Sequence, residues 1–279
     1  MEKDFWRQIV TDSFAVPTGH SAANLLPELM TALGATDPEL RDTLCYEILC
    51  AWVEKGEFAP EHLRAMMAQL LANLQEGIGQ GETDLVFLRT FSVLILGEII
   101  AYDRQAPFLT AAEFAGVVKA AIRYLSDETD LRGYVPDKGW AHSAAHTADL
   151  LRRLAANPRS GAADLMAILE AIGAKMLAPT QHAYVDKEEY RLGLAVLAVL
   201  RRERLPVMDV AAWIKSLGGN EERARSFTLG RDNVRYSNLN SFLLALHVMI
   251  AYQEPLVAEK EVLLAEIHAA LGSYNPRFV

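Results

Sequence analysis

Apolar residues recur at intervals of three and four positions along almost the whole chain, whereas sustained alternation of apolar and polar positions is missing. The first pattern places apolar side chains on one face of a helix, and the second is typical of a half-buried strand. The sequence therefore predicts an all-α protein. We expect twelve helices, over residues 4–12, 21–33, 37–54, 60–76, 83–102, 110–126, 139–155, 160–178, 186–203, 208–218, 237–252 and 255–271.

Comparable residues stand near the start of five predicted helices at an almost constant interval. They are Arg41, Arg89, Ala141, Arg191 and Asn240, separated by 48, 52, 50 and 49 residues. A period of 40 to 50 residues with two helices in each repeat indicates stacked helical hairpins. We expect a single domain over residues 1–279, with an N-terminal cap and five hairpins. The cap covers 1–36, and the hairpins cover 37–76, 83–126, 139–178, 186–218 and 237–271.

Two arrangements of such hairpins satisfy the pattern. The favoured one is an open α-solenoid, a superhelix of the HEAT or armadillo type, and the alternative is a closed α/α toroid. Each hairpin leaves an apolar face that only its neighbours can cover, so either arrangement has one continuous core. In both, the first helix of each pair is the inner one, and its start lines the concave surface.

Composition narrows the class of protein. The formal net charge is -9, which disfavours general binding to nucleic-acid phosphates. The N-terminus lacks a basic and then apolar secretion signal, and the apolar stretches at 91–102 and 242–252 contain Glu98 and His247. We therefore expect a cytoplasmic protein without a membrane partner.

One region differs from the other repeats, and its letters are RGYVP over 132–136 and GWAHSAAHTADLL over 139–151. These segments resemble the signature of a bacterial family known as domain of unknown function 2785. Weaker similarity extends over 40–42, 89–92 and 188–191. The resemblance implies the same helical fold and compartment, and it supplies no reaction because no activity is established for that family.

A metal site is one interpretation of this region. His142, His146 and Asp149 stand at positions i, i+4 and i+7 of the predicted helix 139–155, which would place them on one stripe. Imidazole and carboxylate groups suit zinc or another divalent metal ion. Ligands from the next hairpin could complete the site: Asp186, Glu188 or Glu189. The alternative interpretation is structural, with the histidines hydrogen-bonded at a helix crossing.

The repeated arginines suggest a second kind of site. Arg41, Arg89 and Arg191 share a repeat position, so a solenoid would align them with His142 on its inner surface. Such a row could hold a carboxylate or phosphate group through forked hydrogen bonds. The alternative is internal pairing with nearby acidic residues, because a buried charge is costly unless it is paired.

Two functions follow from these patterns. The first is a binding or scaffold protein whose concave surface takes a small acidic ligand or a segment of a protein. Its candidate binding residues are Arg41, Arg89, Arg132, Trp140, His142, Glu189 and Arg191. The second is a metal-dependent hydrolase, in which His142, His146 and Asp149 hold the ion and Glu188 or Glu189 acts as the base. Whether the chain is an enzyme stays open at this point.

Overall fold

The computed structural model describes residues 2–219, 233–253 and 258–274, and most of them are helical. The fold class is all-α, as the periodicity predicts. The helices are α1 Lys3–Thr11, α2 Ala22–Ala32, α3 Glu47–Glu54, α4 Pro60–Asn73, α5 Leu85–Gln105, α6 Ala111–Asp127, α7 Ser143–Ala156, α8 Ala162–Leu177, α9 Glu188–Leu200, α10 Val207–Leu217, α11 Asn233–Tyr252 and α12 Lys260–Tyr274. The start of the predicted helix 255–271 lies outside the described residues.

A π-helix over Glu39–Tyr46 precedes α3 without a break. The predicted helix 37–54 is therefore correct in position, but its first half is wound more widely than an α-helix. Long π-helical segments are rare, and shorter ones are frequent at functional sites. This segment carries Arg41 and Asp42, which contact the signature region.

The predicted helix 139–155 begins too early. Residues 134–140 instead form a β-hairpin of two short antiparallel strands, β1 Tyr134–Val135 and β2 Gly139–Trp140, and α7 begins at Ser143. Asp137 has a left-handed φ of 64° in the turn, which an aspartate tolerates better than most residues. Two further bonds extend the ladder, from the Ala141 N–H to the Gly133 carbonyl and from the His142 N–H to the Arg132 carbonyl. We call residues 132–142 the signature hairpin.

The described chain divides into two compact units, residues 1–150 and 151–279, and the boundary falls inside α7. In the first unit, α5 packs against α3 and α4, and the π-helix packs against α1, α2 and α3. By length and mean hydropathy, α5 is the one helix of the described residues that could cross a membrane. However, 67% of its most apolar window is buried in the protein, as in a core helix.

In the second unit, helices two apart in the chain are neighbours. Helix α9 packs against α11, and α10 packs against both α8 and α12. Helix α8 also contacts α9 and α11, and α11 contacts α12. The interpretation of the whole chain as one domain stays a prediction.

Several cationic side chains bind backbone carbonyl groups at the end of a helix or two to three residues beyond it. Arg41 Nη1 donates to the Ala35 carbonyl at 2.6 Å, just beyond α2, and Arg89 Nη1 donates to the Glu76 carbonyl at 2.8 Å, just beyond α4. Three further cations bind backbone carbonyls in a similar way: Lys55, Arg202 and Arg235. The acceptors of Arg202 and Arg235 are among the last carbonyls of α7 and α8, which lack partners within their helix and lie at the negative end of its dipole.

Candidate functional site

Arg41 is fully buried, and its guanidinium joins three parts of the first unit. Besides the Ala35 carbonyl, it reaches the Lys138 carbonyl at 2.6 Å and the Asp42 carboxylate at 2.7 Å. Its Cζ lies 4.1 Å from the centre of the Phe87 ring. All these contacts are internal, and a role of Arg41 in ligand binding stays a prediction.

Arg89 is also fully buried and forms a forked ion pair with Glu128. The two bonds measure 2.6 Å from Nε and 3.0 Å from Nη2, and the Tyr124 hydroxyl donates to the same carboxylate at 2.9 Å. Burial opposes the charge of the guanidinium, but Glu128 outweighs that effect and the pKa of Arg89 lies above its usual value. Arg89 therefore pairs internally as well, and its role in ligand binding stays a prediction.

Arg132 opens the signature hairpin and is half-buried. It forms a forked pair with Asp130, with bonds of 2.9 and 2.6 Å, and donates to the Thr83 carbonyl at 2.9 Å. The hydrogen bond to Asp130 is the main cause of a raised pKa for Arg132. This side chain fastens the base of the signature hairpin to the loop before α5.

The far end of the signature hairpin lies directly on the π-helix. Gly139 has a φ of +80°, and a Cβ atom there would come within 2.9 Å of Pro38 Cβ and 3.0 Å of Arg41 Nη2. The next residue, Trp140, donates its backbone N–H to the Asp42 carboxylate. Only glycine combines this backbone conformation with so close an approach.

Arg41 and Asp42 form an ion pair in which the guanidinium is fully buried and the carboxylate side chain is 26% exposed. Burial is the main cause of a lowered pKa for Arg41 and of a raised pKa for Asp42, and each charge partly offsets the effect on the other. Both shifts favour the neutral form, as expected for charges in a poorly hydrated place. The signature hairpin thus docks on the Arg41–Asp42 ion pair through hydrogen bonds to both side chains.

His142 has an uncommon backbone conformation. Its φ is 53°, in the left-handed region, although it is not glycine and its side chain is only 7% exposed. Its carbonyl accepts the N–H of His146 at 3.0 Å, so His142 is the residue just before α7 rather than part of that helix. The predicted stripe of His142, His146 and Asp149 on one helix is corrected accordingly.

Five aromatic rings follow one another from the surface into the first unit. Tyr134 meets Trp140 at a centroid distance of 5.2 Å, Trp140 stacks on His142 at 4.8 Å, and His142 meets His146 at 5.5 Å. His146 then meets Phe91 of α5 at 5.6 Å. Tyr134 is 57% exposed and Trp140 39%, whereas the other three residues are buried. We call this series the aromatic row, and Tyr134 and Trp140 are its outer end.

Metal binding by His142, His146 and Asp149 stays a prediction. Among residues 2–219, 233–253 and 258–274, no group of three or more His, Cys, Asp or Glu side chains is arranged to hold a metal ion. Asp149 is half-buried in the second turn of α7. The two imidazoles take part in the aromatic row.

The remaining candidates belong to the second unit and stand in the first turn of α9. Glu188 is buried, and its carboxylate accepts the backbone N–H of Asp186 at 2.9 Å. Glu189 and Arg191 are half-buried, and burial is the main cause of a raised pKa for Glu189. Their role in binding or catalysis stays a prediction.

A separate apolar cleft of about 1020 Å³ lies between α2, α4 and α5, and none of the predicted site residues lines it. Its wall includes Leu26, Met30, Met66, Leu85 and Leu88.

Sequence reasoning missed two residues of this region: Asp42, which contacts the signature hairpin, and Tyr134, which belongs to the aromatic row. Asp42 carries no sequence signal, because its role depends on a contact with a segment about one hundred residues away. For Tyr134 the sequence does contain a signal. Tyr134 and Trp140 flank the segment 135–139, which contains Pro, Asp and Gly, and these residues are typical of turns. That pattern predicts a hairpin in which Tyr134 and Trp140 face each other.

A comparison with protein families gives one match, to the model described as "Protein of unknown function (DUF2785)", over residues 74–248. The matched range includes the signature hairpin, α5 and α9. No curated protein and no solved structure matches the chain.

Proposed function

The chain belongs to the DUF2785 family, and we propose that it is a binding protein in which the outer end of the aromatic row receives a segment of another protein. One observation carries this proposal. The exposed Trp140 indole rests on a buried His142 whose backbone is held in the left-handed conformation.

This conformation costs a non-glycine residue about 1 kcal/mol or more, and such residues cluster at binding and catalytic sites. Here it turns the chain sharply between β2 and α7, so that Trp140 stays outside while His142 and His146 enter the protein. Tyrosine and tryptophan supply large contact areas with few rotatable bonds, and both are enriched among the residues that dominate interface energies. The site therefore offers an anchor that is already in place before a partner arrives.

A protein segment is a better ligand for this site than a small acidic molecule. Three arginines are expected to hold an acidic ligand, Arg41, Arg89 and Arg191, and the first two are bound to internal carbonyl and carboxylate groups. Exposed aromatic rings remain, and these suit peptide side chains. No observation favours the alternative of a metal-dependent hydrolase.

We further propose that the helical hairpins stack as an open solenoid of the HEAT or armadillo type. Two sets of contacts in the second unit support this arrangement, that of α9 with α11 and those of α10 with α8 and α12, and α8 also contacts α9 and α11. Stacked hairpins pair equivalent helices in this way. A solenoid would present a long surface beside the signature hairpin for a segment of extended chain.

A peptide library displayed on phage tests the proposed binding. The library is selected on the wild-type protein, and each selected peptide is measured against Trp140→Ala and against Met208→Ala. Met208 is an exposed apolar residue of the second unit and serves as the matched control. We expect peptides that bind wild type and Met208→Ala equally and bind Trp140→Ala at least tenfold more weakly. Selection that yields no peptide dependent on Trp140 would overturn the proposal.

A further inference from the structure

We infer that the outer end of the aromatic row recognises a cationic side chain, a lysine or arginine of the bound segment. This inference rests on the proposed function and adds the chemistry of the ligand. It stands on two independent features of the signature hairpin: the arrangement of its exposed rings and the balance of charges around it.

The exposed rings of Tyr134 and Trp140 form a corner. They are paired across the two strands, and their planes meet at 77° with a centroid distance of 5.2 Å. The face of an aromatic ring is negative and attracts a cation placed within about 6 Å of its centre, and tryptophan is the most effective ring. Two perpendicular rings can contact one cationic group from two sides.

The charges around the signature hairpin favour a positive ligand. Three cations contact it or belong to it, and each lies beside a carboxylate: Arg41 with Asp42, Arg132 with Asp130, and Lys138 with Asp84. Two further exposed carboxylates lie in the region: Asp137 in the turn, and Glu82, which is 4.0 Å from the same Arg132 that pairs with Asp130. The region therefore carries an excess of negative charge, and it belongs to a chain with a net charge of -9.

The inner end of the row already holds a cation in the way proposed for its outer end. The Arg41 guanidinium lies 4.1 Å from the centre of the Phe87 ring and 4.8 Å from that of Phe91, which is itself a member of the row. The two ends of the aromatic row differ in their exposure to solvent. Phe87 and Phe91 are sealed in the first unit, whereas Tyr134 and Trp140 are open to a partner.

The decisive experiment uses the peptides selected through Trp140. Each lysine or arginine in a selected peptide is replaced by glutamine, and binding is measured at constant ionic strength. We expect one such replacement to weaken binding about tenfold, the scale of a well-placed cation–π contact. The same replacement should weaken binding to Tyr134→Ala by a smaller factor, because only the Trp140 ring then contacts the cation, and Tyr134→Phe should behave as wild type because it keeps the ring.

A second measurement does not depend on any peptide. Choline and its uncharged analogue 3,3-dimethylbutan-1-ol have nearly the same shape, and each is titrated while tryptophan fluorescence is recorded. Trp140 is exposed whereas Trp6, Trp52 and Trp213 are buried, so Trp140 gives the expected signal. We expect choline to change the fluorescence and the analogue to leave it unchanged, and the choline response should disappear in Trp140→Phe.

The outcomes separate the two proposals. Peptides that depend on Trp140 but tolerate every glutamine replacement would overturn the cationic ligand and leave the protein-binding function standing. A response to choline without any selected peptide would support the cation site and overturn the protein segment as its ligand. Equal responses to choline and to its uncharged analogue would count against the cation site.

Discussion

Arg41 and Arg89 share a repeat position, yet their surroundings differ in a way that the repeat does not predict. Arg41 binds two carbonyl groups and a neighbouring carboxylate, whereas Arg89 binds one carbonyl group and a distant carboxylate from the end of α6. What they share is a hydrogen bond to a carbonyl group three residues beyond the end of an earlier helix. Both arginines therefore hold the segment that follows that helix, and their other partners differ.

Arg89→Ala is expected to lower the free energy of unfolding by about 3–5 kcal/mol, because it leaves the buried Glu128 carboxylate without its counter-charge. Urea denaturation measures the loss. Arg104→Ala is the matched control, since Arg104 is an exposed arginine on the same helix and should change stability by no more than about 0.5 kcal/mol. Similar losses in both variants would contradict the role given to the Arg89 pair.

His142 provides a test of the left-handed backbone. Both His142→Gly and His142→Ala remove the imidazole, but only glycine adopts a φ of 53° without steric cost. His142→Gly should therefore be more stable than His142→Ala by about 1 kcal/mol in urea denaturation. An alanine variant as stable as the glycine variant would show that the conformation is not maintained in solution.

At the scale of elements, two irregular segments support each other. The π-helix places Arg41 and Asp42 so that both reach the signature hairpin, and the hairpin in turn supplies a carbonyl to Arg41 and an N–H to Asp42. Neither contact arises from local sequence. The pairing explains why a short two-stranded hairpin, which has little stability alone, is held in place.

Gly139→Ala tests this docking, with Gly79→Ala as its control. Both glycines have φ values near +80°, but a Cβ atom at Gly139 would collide with Pro38 and Arg41, whereas Gly79 has no atom within 4 Å. Both substitutions place alanine at a positive φ and therefore share the backbone strain. The difference between their losses of stability measures the steric clash at residue 139. We expect Gly139→Ala to cost about 1–3 kcal/mol more than Gly79→Ala by urea denaturation.

The collision should also move Trp140, so acrylamide should quench its fluorescence to a different extent in Gly139→Ala than in wild type. Equal stability of the two glycine variants, together with unchanged quenching, would contradict the docking of the hairpin on the π-helix.

The elements show clearly what the sequence can predict. Apolar periodicity predicts the helices, because burying one face is a local requirement of each amphipathic segment. The capping-box spacing of Thr110 and Glu113 likewise predicts the start of α6, where both hydrogen bonds are present. The error at 139–142 arose because Trp140, Ala141 and His142 extend the helical pattern of α7, although Gly139 and the preceding turn interrupt it. The site's contacts between distant segments have no such local signal.

At the scale of the whole molecule, the question is how far the repeats act together. The chain has two compact units, yet α7 continues as one helix through the boundary between residues 150 and 151. In a stacked array each hairpin depends on its neighbours for the burial of its apolar face. The repeat period therefore predicts one cooperative structure, and separate domains would instead unfold separately.

Buried tryptophans in the two units make this prediction measurable. Trp52 lies in the first unit and Trp213 in the second, so each can report its own unit in a variant whose other three tryptophans are replaced by phenylalanine. We expect both variants to show a single urea transition in which tryptophan fluorescence and circular dichroism coincide, as two-state unfolding requires. If fluorescence precedes circular dichroism for one reporter and follows it for the other, the units unfold independently, and residues 1–279 are then two domains rather than one continuous array.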